Sequence, residues 1–226
     1  MIHRLQTTAS TMTDAAALAK QGAPHGTAVV AERQTAGIGR HGHSWHSEPG
    51  AGLYLSIVLR LAAAAPALTM ALGLAVQRAI NDTAQVSTDV RWPNDVMLND
   101  RKVAGIMVQA SEPGVLIAGI GINVNHSAFP EDLRDIATSL RIETGREQDK
   151  ELLLQRVLAE SLRYARLDKS EVLRRFEQNS SYIRGKSVIV DEKVRGVTAG
   201  LDQDGFLLLK TDAGIEAILT GGVRPC

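Results

Sequence analysis

Between Gln34 and Lys102 the chain gathers the side chains best suited to handling an anion. Arg40 stands among Gly37, Gly39 and Gly42, with Gln34 ahead of it and His41, His43 and Trp45 behind it. Glycines let a loop turn sharply and bring backbone N–H groups near a ligand, and a guanidinium offers a planar donor fork that matches phosphate or carboxylate. Arg101 and Lys102 are further cations on a turn, serving either as anion contacts or as ordinary solvent charges. Asp95, after Trp92-Pro93-Asn94, would hold magnesium, accept a ligand hydrogen bond or cap a turn. Asn123, at the end of an apolar run, would pair with a nucleotide or satisfy backbone groups. No side chain announces itself as a covalent nucleophile, and the histidines lack the spacing of a closed zinc site. The chemistry that fits is electrostatic: hold an anion beside a nucleotide and offset charge during transfer.

The elements that must position these groups follow from periodicity. His3 to Gln6 reads as a short strand. Thr11 with Asp14 three residues on has the form of a capping box, opening a helix with Ala15, Leu18 and Ala19 on its apolar face that stops at Gly22. Ser10 and Thr11 thus sit where strand meets helix, as caps or as ligand contacts. Val29 to Ala31 leads into the glycine loop, and Leu53, Leu55, Ile57 and Leu59 alternate with Tyr54, Ser56, Val58 and Arg60 as in a strand with one strongly apolar face. Pro66 falls in the first turn of a helix whose buried stripe is Leu68, Leu72, Ala75, Val76 and Ala79. Val86 to Trp92 and Val96 to Leu98 read as strands, Asn99-Asp100 as a tight turn, and the VAGIMVQA run after Lys102 as the returning strand of a hairpin. In Val115 to Val124, Gly119 and Gly121 signal a bulge or a close backbone approach.

Further on, Ser127 to Arg146 is polar and broken, with a helical turn expected near Ile136 to Leu140. Asp149 caps a helix with Leu152, Leu153, Val157, Ala159 and Leu162 on its apolar face, and Ser170 opens another containing Leu173 and Phe176. From Gly185 the pattern changes to short strands at Lys186–Asp191, Lys193–Ala199, Phe206–Thr211 and Ile215–Leu219, a small all-β unit serving as a docking module, a lid or a stabilising appendage.

Composition narrows the function classes. The chain has 226 residues, 44% of them hydrophobic, enough for a medium domain and a small one. Twenty-five basic and twenty-five acidic side chains give formal neutrality, so no global field favours DNA. The single cysteine, Cys226, excludes an intrachain disulfide framework and a Cys-rich zinc module, and suits a reducing compartment. With no signal core at the N-terminus, and with Leu53 to Val76 broken by Arg60 and Pro66, the expected location is the cytoplasm, with no membrane span.

Three ordered segments resemble the signatures of biotin protein ligases: GIGRHGHSW at 37–45 followed by GLYLSIVLR at 52–60, RWPNDVMLNDRKVAGI at 91–106, and GIGINVN at 119–125. The resemblance spans the catalytic core and the C-terminal β domain. It leaves no room before Ser10 for the helix-turn-helix of members that also repress transcription. It implies an α/β (α+β) fold, a mixed β-sheet packed by helices in a class II synthetase-like core over residues 1–182, then a small SH3-like β-barrel over 183–226. It implies ATP-dependent activation of biotin to biotinyl-5′-AMP, with Mg2+, and transfer to a lysine of a biotin carboxyl carrier domain, by a monomer or weak homodimer. Carried over, Ser10, Thr11, Met12, Gln34, Gly37, Ile38, Gly39, Arg40, Lys102 and Gly105 are expected to surround biotin. Arg40, Trp45, Asn94, Asp95, Lys102 and Asn123 are expected around ATP, with Asp95 toward the metal and Arg40 and Lys102 catalytic. The chain departs from the family pattern at Met12, where members carry asparagine, and at Ile38, His41 and His43, where they carry basic residues, so the loop is less permanently positive. The related lipoate ligases and lipoyl transferases are the nearest alternative, and a non-catalytic ligand sensor is an alternative of a different class.

Overall fold

The computed structural model describes residues 1–61 and 66–226, without the side chains of His41 and Pro66; the titratable role expected of His41 therefore falls outside the described residues. A first unit, β1 (Ile2–Thr8), α1 (Thr11–Lys20) and β2 (Ala28–Gln34), is a β-α-β crossover, and β1 and β2 pair in parallel. Every other pairing between strands named below is antiparallel. β3 (Gly52–Arg60), β4 (Asp89–Arg91), β5 (Asp95–Leu98), β6 (Arg101–Glu112) and β7 (Val115–Asn123) complete a seven-stranded sheet in the order β1-β2-β3-β7-β6-β5-β4.

The two faces of this sheet are divided by strand alternation. Leu53, Leu55, Ile57 and Leu59 of β3 join Leu116, Ala118, Ile120 and Ile122 of β7 in one core, under α2 (Pro66–Ala84) and α4 (Lys150–Tyr164). Leu68, Leu72, Ala75, Val76 and Ala79 form the buried stripe of α2, as the periodicity predicts. Val58, Val115 and Ile117 point to the opposite face and pack with Ala15 and Ala19 of α1. Because α1 is short, it leaves the rest of that face to the glycine loop.

Several local expectations are corrected. The N-cap of α1 is Ser10, with no side-chain cap bond; Thr11 turns to Gln34, and Asp14 accepts a bond from Thr8 Oγ1 at 2.6 Å. A longer-range polar network has taken over the groups a capping box would use. The strand expected over Val86 to Trp92 is confined to Asp89–Arg91. Residues 131–136 form turns, and the helix α3 covers Leu140–Thr144 instead, capped by Ser139, whose Oγ accepts from Ile142 N. Asp149 caps α4 by accepting from the N–H groups of Glu151 and Leu152. Leu152 and Ala159, however, are exposed, and the buried face is Leu153, Leu154, Val157 and Leu158. The next helix, α5 (Lys169–Asn179), starts after Asp168.

The C-terminal sheet comprises β8 (Arg184–Val190), β9 (Val194–Leu201), β10 (Leu207–Thr211), β11 (Gly214–Ile218) and β12 (Val223–Pro225), ordered β11-β10-β9-β8-β12. β12 has no counterpart in the sequence reading, since three residues holding a proline give no period. Among the described residues no ladder joins β11 to β12, so the five strands form an open antiparallel sheet. This unit is seated firmly. Val188, Val190, Leu207, Leu209 and Val223 belong to the same core as the large sheet, and Trp92 Nε1 donates to Gly205 O at 3.0 Å.

Candidate active site

The floor of the site is a trough made by absent side chains. Gly105 of β6 pairs with Gly121 of β7, and Gly119, two residues along the same face, pairs with Met107 and Ser56. A Cβ at Gly121 would lie 2.5 Å from Trp45 Cε2, one at Gly105 2.9 Å from Trp45 Cζ3, and one at Gly119 2.7 Å from the Met12 sulfur. Of the two readings open for Gly119 and Gly121, close approach is the one realised; the register of β7 opposite them is regular. Trp45 and Met12 lie directly on backbone, which is what allows a thin cavity between sheet and loop.

One end of the trough is polar and neutral. Thr11 donates to Gln34 Oε1 twice, from its backbone N at 2.9 Å and from Oγ1 at 3.0 Å, and its hydroxyl also contacts Ser56 Oγ at 2.8 Å. The backbone donor settles which amide atom is oxygen, so Gln34 Nε2 is the end left facing Gly37. Ser10, Thr11 and Ser56 are buried, so this cluster is held rigidly by the junction of β1, α1 and β3. It can hydrogen-bond a small neutral polar head group.

The other end is charged. The glycine loop forms its own small hairpin: Ile38 bridges Ser44, Trp45 N donates to Gly37 O at 2.9 Å, and a 3-10 turn over Arg40–Gly42 closes the tip with Gly42 at φ 78°. Arg40 projects from that turn and bonds Asn94 Oδ1 and Thr220 Oγ1, each at 3.0 Å. Asn94 is itself fixed through Nδ2 to Ile106 O. Thr220 belongs to the C-terminal unit, in a segment pinned where Gly222 N donates to Asp191. Burial pulls the Arg40 guanidinium below its ordinary value, against the opposing influence of Asp95 and Asp191, and it remains a cation.

Lys102 lies 2.5 Å from Asp95 Oδ1, and Arg91 donates to Asp95 Oδ2 at 2.8 Å. Burial would raise the Asp95 carboxyl, but Lys102 and Arg91 outweigh it and hold the group below the usual carboxylate range. Asp95 thus serves here as the anchor for Lys102. Asp95 and Asn123, both lining the wide cavity, supply oxygen atoms of the kind magnesium takes. Lys102 Nζ also stands 5.5 Å from the Trp45 ring, and Asn123 Nδ2 reaches Lys102 O at 3.4 Å. Arg101 is turned away, paired with Glu143 at 2.6 Å.

The structure thus places Ser10, Thr11, Met12, Gln34, Ile38, Gly39, Arg40, Trp45, Asn94, Lys102 and Gly105 around one narrow cavity of about 60 Å³. Ile38, where the family pattern has arginine, lines it while remaining 54% exposed. Gly37 lies at the base of the loop behind Gln34. The narrow cavity shares Gly39, Arg40, Trp45, Asn94 and Lys102 with a wide one of about 630 Å³, which also takes in Asp95, Asn123 and His43. Ser56, Gly119, Gly121 and Thr220 are among the contributors that the sequence reading did not assign to the site. Ser56 and Gly119 were legible as same-face neighbours in strand alternation; Thr220, far away in sequence, carried no signal.

Comparison with known proteins agrees with this geometry. Residues 4–127 match the profile of the biotin/lipoate A/B protein ligase family, and residues 185–223 match the biotin protein ligase C-terminal domain. The chain belongs to the biotin/lipoate A/B protein ligase family. Within that family it is 36% identical to the bifunctional ligase/repressor BirA of Bacillus subtilis, over 95% of this chain and 71% of that protein. It is 30% identical to the biotin--[acetyl-CoA-carboxylase] ligase of Mycobacterium tuberculosis, over 96% and 85% of the two chains. Its fold overlays the Aquifex aeolicus biotin protein ligase in complex with biotin and ATP at a TM-score of 0.90, with 31% identity, covering 100% of this chain and 99% of that one.

Proposed function

We propose that the protein activates biotin with ATP to biotinyl-5′-AMP and transfers the biotinyl group to one lysine of a biotin carboxyl carrier domain. The observation that carries this reading is the joined pair of cavities, with neutral donors at one end of the trough and Arg40 and Lys102 where it opens into the wide space. A bicyclic head group with a urea-type oxygen suits the Gln34 and Thr11 end. Its carboxylate then extends toward Lys102, and the nucleotide occupies the wide cavity along Trp45, Asn94 and Asn123.

In the first step a carboxylate oxygen attacks the α-phosphorus, the bond to the bridging oxygen breaks, and pyrophosphate leaves. Charge accumulates at the phosphoryl oxygens, where fixed cations act most strongly because the surroundings are already desolvated and aligned. Arg40 and Lys102 are those cations. Magnesium bound with ATP would offset phosphate charge, and Asp95 is the residue that would face it. In the second step the neutral lysine amine of the carrier attacks the anhydride carbonyl, AMP leaves with the bonding pair, and the amine's proton passes to solvent or phosphate. The nucleophile belongs to the partner, so the enzyme needs none. Closing the glycine loop keeps water from the anhydride meanwhile.

We divide the chain into a catalytic unit, residues 1–182, and an accessory unit, 183–226, and read it as a cytoplasmic monomer or weak homodimer without a DNA-binding role. Formal neutrality supports the absence of a DNA-binding role, and the single cysteine supports a reducing compartment. The test is transfer: a purified carrier domain incubated with the protein, ATP, magnesium and biotin gains one biotinyl group at one lysine. Modification by lipoate in place of biotin would assign the protein to the lipoate branch.

A further inference from the structure

Outside the trough lies a second group of ligand-forming side chains that adenylate chemistry does not use. His46 follows Trp45 at the foot of the glycine loop, Glu48 is two residues on, and His126 follows the end of β7. One donor atom from each of the three lies within 4.8 Å of the others. The rings are gathered under Phe129, which stacks on His126 at 5.0 Å and 18° and meets His46 edge-on at 6.1 Å; the two imidazoles are 5.8 Å apart.

His126 is unusual for a buried residue. It is 0% exposed, Nδ1 has no hydrogen-bond partner, and Nε2 has only a 3.5 Å contact with the Tyr54 hydroxyl. Buried polar nitrogens are ordinarily satisfied, so a fully enclosed imidazole left this way beside a second imidazole and a carboxylate calls for a ligand. The Tyr54 hydroxyl donates to Glu48 O at 3.1 Å and is left to accept from His126 Nε2–H, so the Nδ1 lone pair is the atom without a partner.

We propose that His46, Glu48 and His126 form a binding site for one divalent transition-metal ion of the zinc class. Two imidazoles and a carboxylate form the donor set that favours zinc over magnesium or calcium, which take oxygen ligands. Zinc bonds of about 2.0–2.1 Å to nitrogen set donor separations of roughly 3.3–3.5 Å in a tetrahedron, so side-chain closure of at most about 1.5 Å suffices. Three protein ligands leave a fourth position for water. Since His46 is joined to Trp45, the ion would fasten the foot of the glycine loop to the end of β7. His46 and Phe129 line the wide cavity, so the ion sits at its wall.

The experiment uses full-length, tag-free protein stripped with chelator and then given Zn2+ alone, in competition with a chromogenic chelator. One equivalent is expected to bind, with at least a tenfold loss of affinity in both His46→Ala and Glu48→Gln. These variants lie on the loop, so they spare the buried His126. His3→Ala, near the N-terminus, controls for adventitious binding and is expected to leave the tight equivalent in place. Co2+ in the same site should give visible d–d bands that Zn2+ abolishes. Retention of the full equivalent by both His46→Ala and Glu48→Gln would overturn the proposal, as would loss of the equivalent in His3→Ala or the absence of any tight equivalent.

Discussion

Gly121→Ala isolates the role of the glycine trough. Gly121 lies in a regular stretch of β7 and is not in a left-handed conformation, so alanine brings no backbone strain. Its methyl carbon would sit 2.5 Å from Trp45 Cε2, 2.7 Å from Cζ2 and 2.8 Å from Nε1. The indole is rigid and also rests on Gly105, where a Cβ would approach Cζ3 to 2.9 Å, so it cannot slide along the sheet and must lift away. Forcing such a methyl into a packed contact costs about 1–3 kcal/mol. Trp45 sits on a loop, so the cost falls mainly on loop closure, lowering the closed population by about 5–150-fold. Single-turnover formation of the adenylate should drop within that range while thermal stability falls only slightly, and Trp45 emission should shift toward that of an exposed indole. Gly119→Ala is the comparison for the emission readout, because its methyl meets the sulfur and Cγ of the flexible Met12 side chain, not Trp45, so the emission should stay unchanged. Unchanged adenylation and unchanged emission in Gly121→Ala would refute the claim that the glycines seat Trp45.

Three further outcomes follow from the same contacts. Lys102→Ala removes a charge-assisted contact worth about 1.5–3 kcal/mol, so adenylation should slow by at least tenfold; with Arg91 still on Asp95 the chain stays folded, as circular dichroism would show. Thr11→Val keeps the backbone bond to Gln34 but leaves Ser56 Oγ without its partner, a loss of about 1–3 kcal/mol, read as a lower Tm and weaker biotin binding by calorimetry. At Glu143, burial would raise the carboxyl, but Thr138, Asn99 and Arg101 outweigh it and hold it below the ordinary 4.5. A depressed folded-state value means that the stabilisation is complete above 4.5 and is lost as the pH falls through the lower folded value. In Glu143→Gln the fall of Tm with acidification should accordingly be shallower over that window.

How far the sequence reached depended on the range of each signal. Strand alternation across Leu53 to Arg60 was readable although both faces are buried, because one face carries only large aliphatics and the other Tyr54, Ser56 and Val58. The stripe of α2 was readable at helical spacing. Asn99-Asp100 declared its turn, and both residues adopt positive φ, 50° and 61°. What failed was contact between distant segments. Thr11 looked like half of a capping box because Asp14 is near in sequence, but Gln34 competes from the neighbouring strand and takes its hydroxyl. Leu152 matched the apolar period yet points outward, since Leu153 and Leu154 already fill the interface. Thr220 meets Arg40 across 180 positions, beyond any local pattern. Lys102 was placed near the reacting phosphate only by resemblance; its tether to Asp95 is a tertiary fact.

The central claim is that one continuous site activates a carboxylate at Arg40 and Lys102, with biotin as the acid. Its most direct measurement omits the carrier domain: purified protein, ATP, magnesium and either biotin or lipoate, with the bound product released and identified by mass. The account predicts biotinyl-5′-AMP, formed with an equal amount of pyrophosphate and only from biotin. An adenylate of lipoate alone, or ATP left intact beside bound biotin, would contradict it.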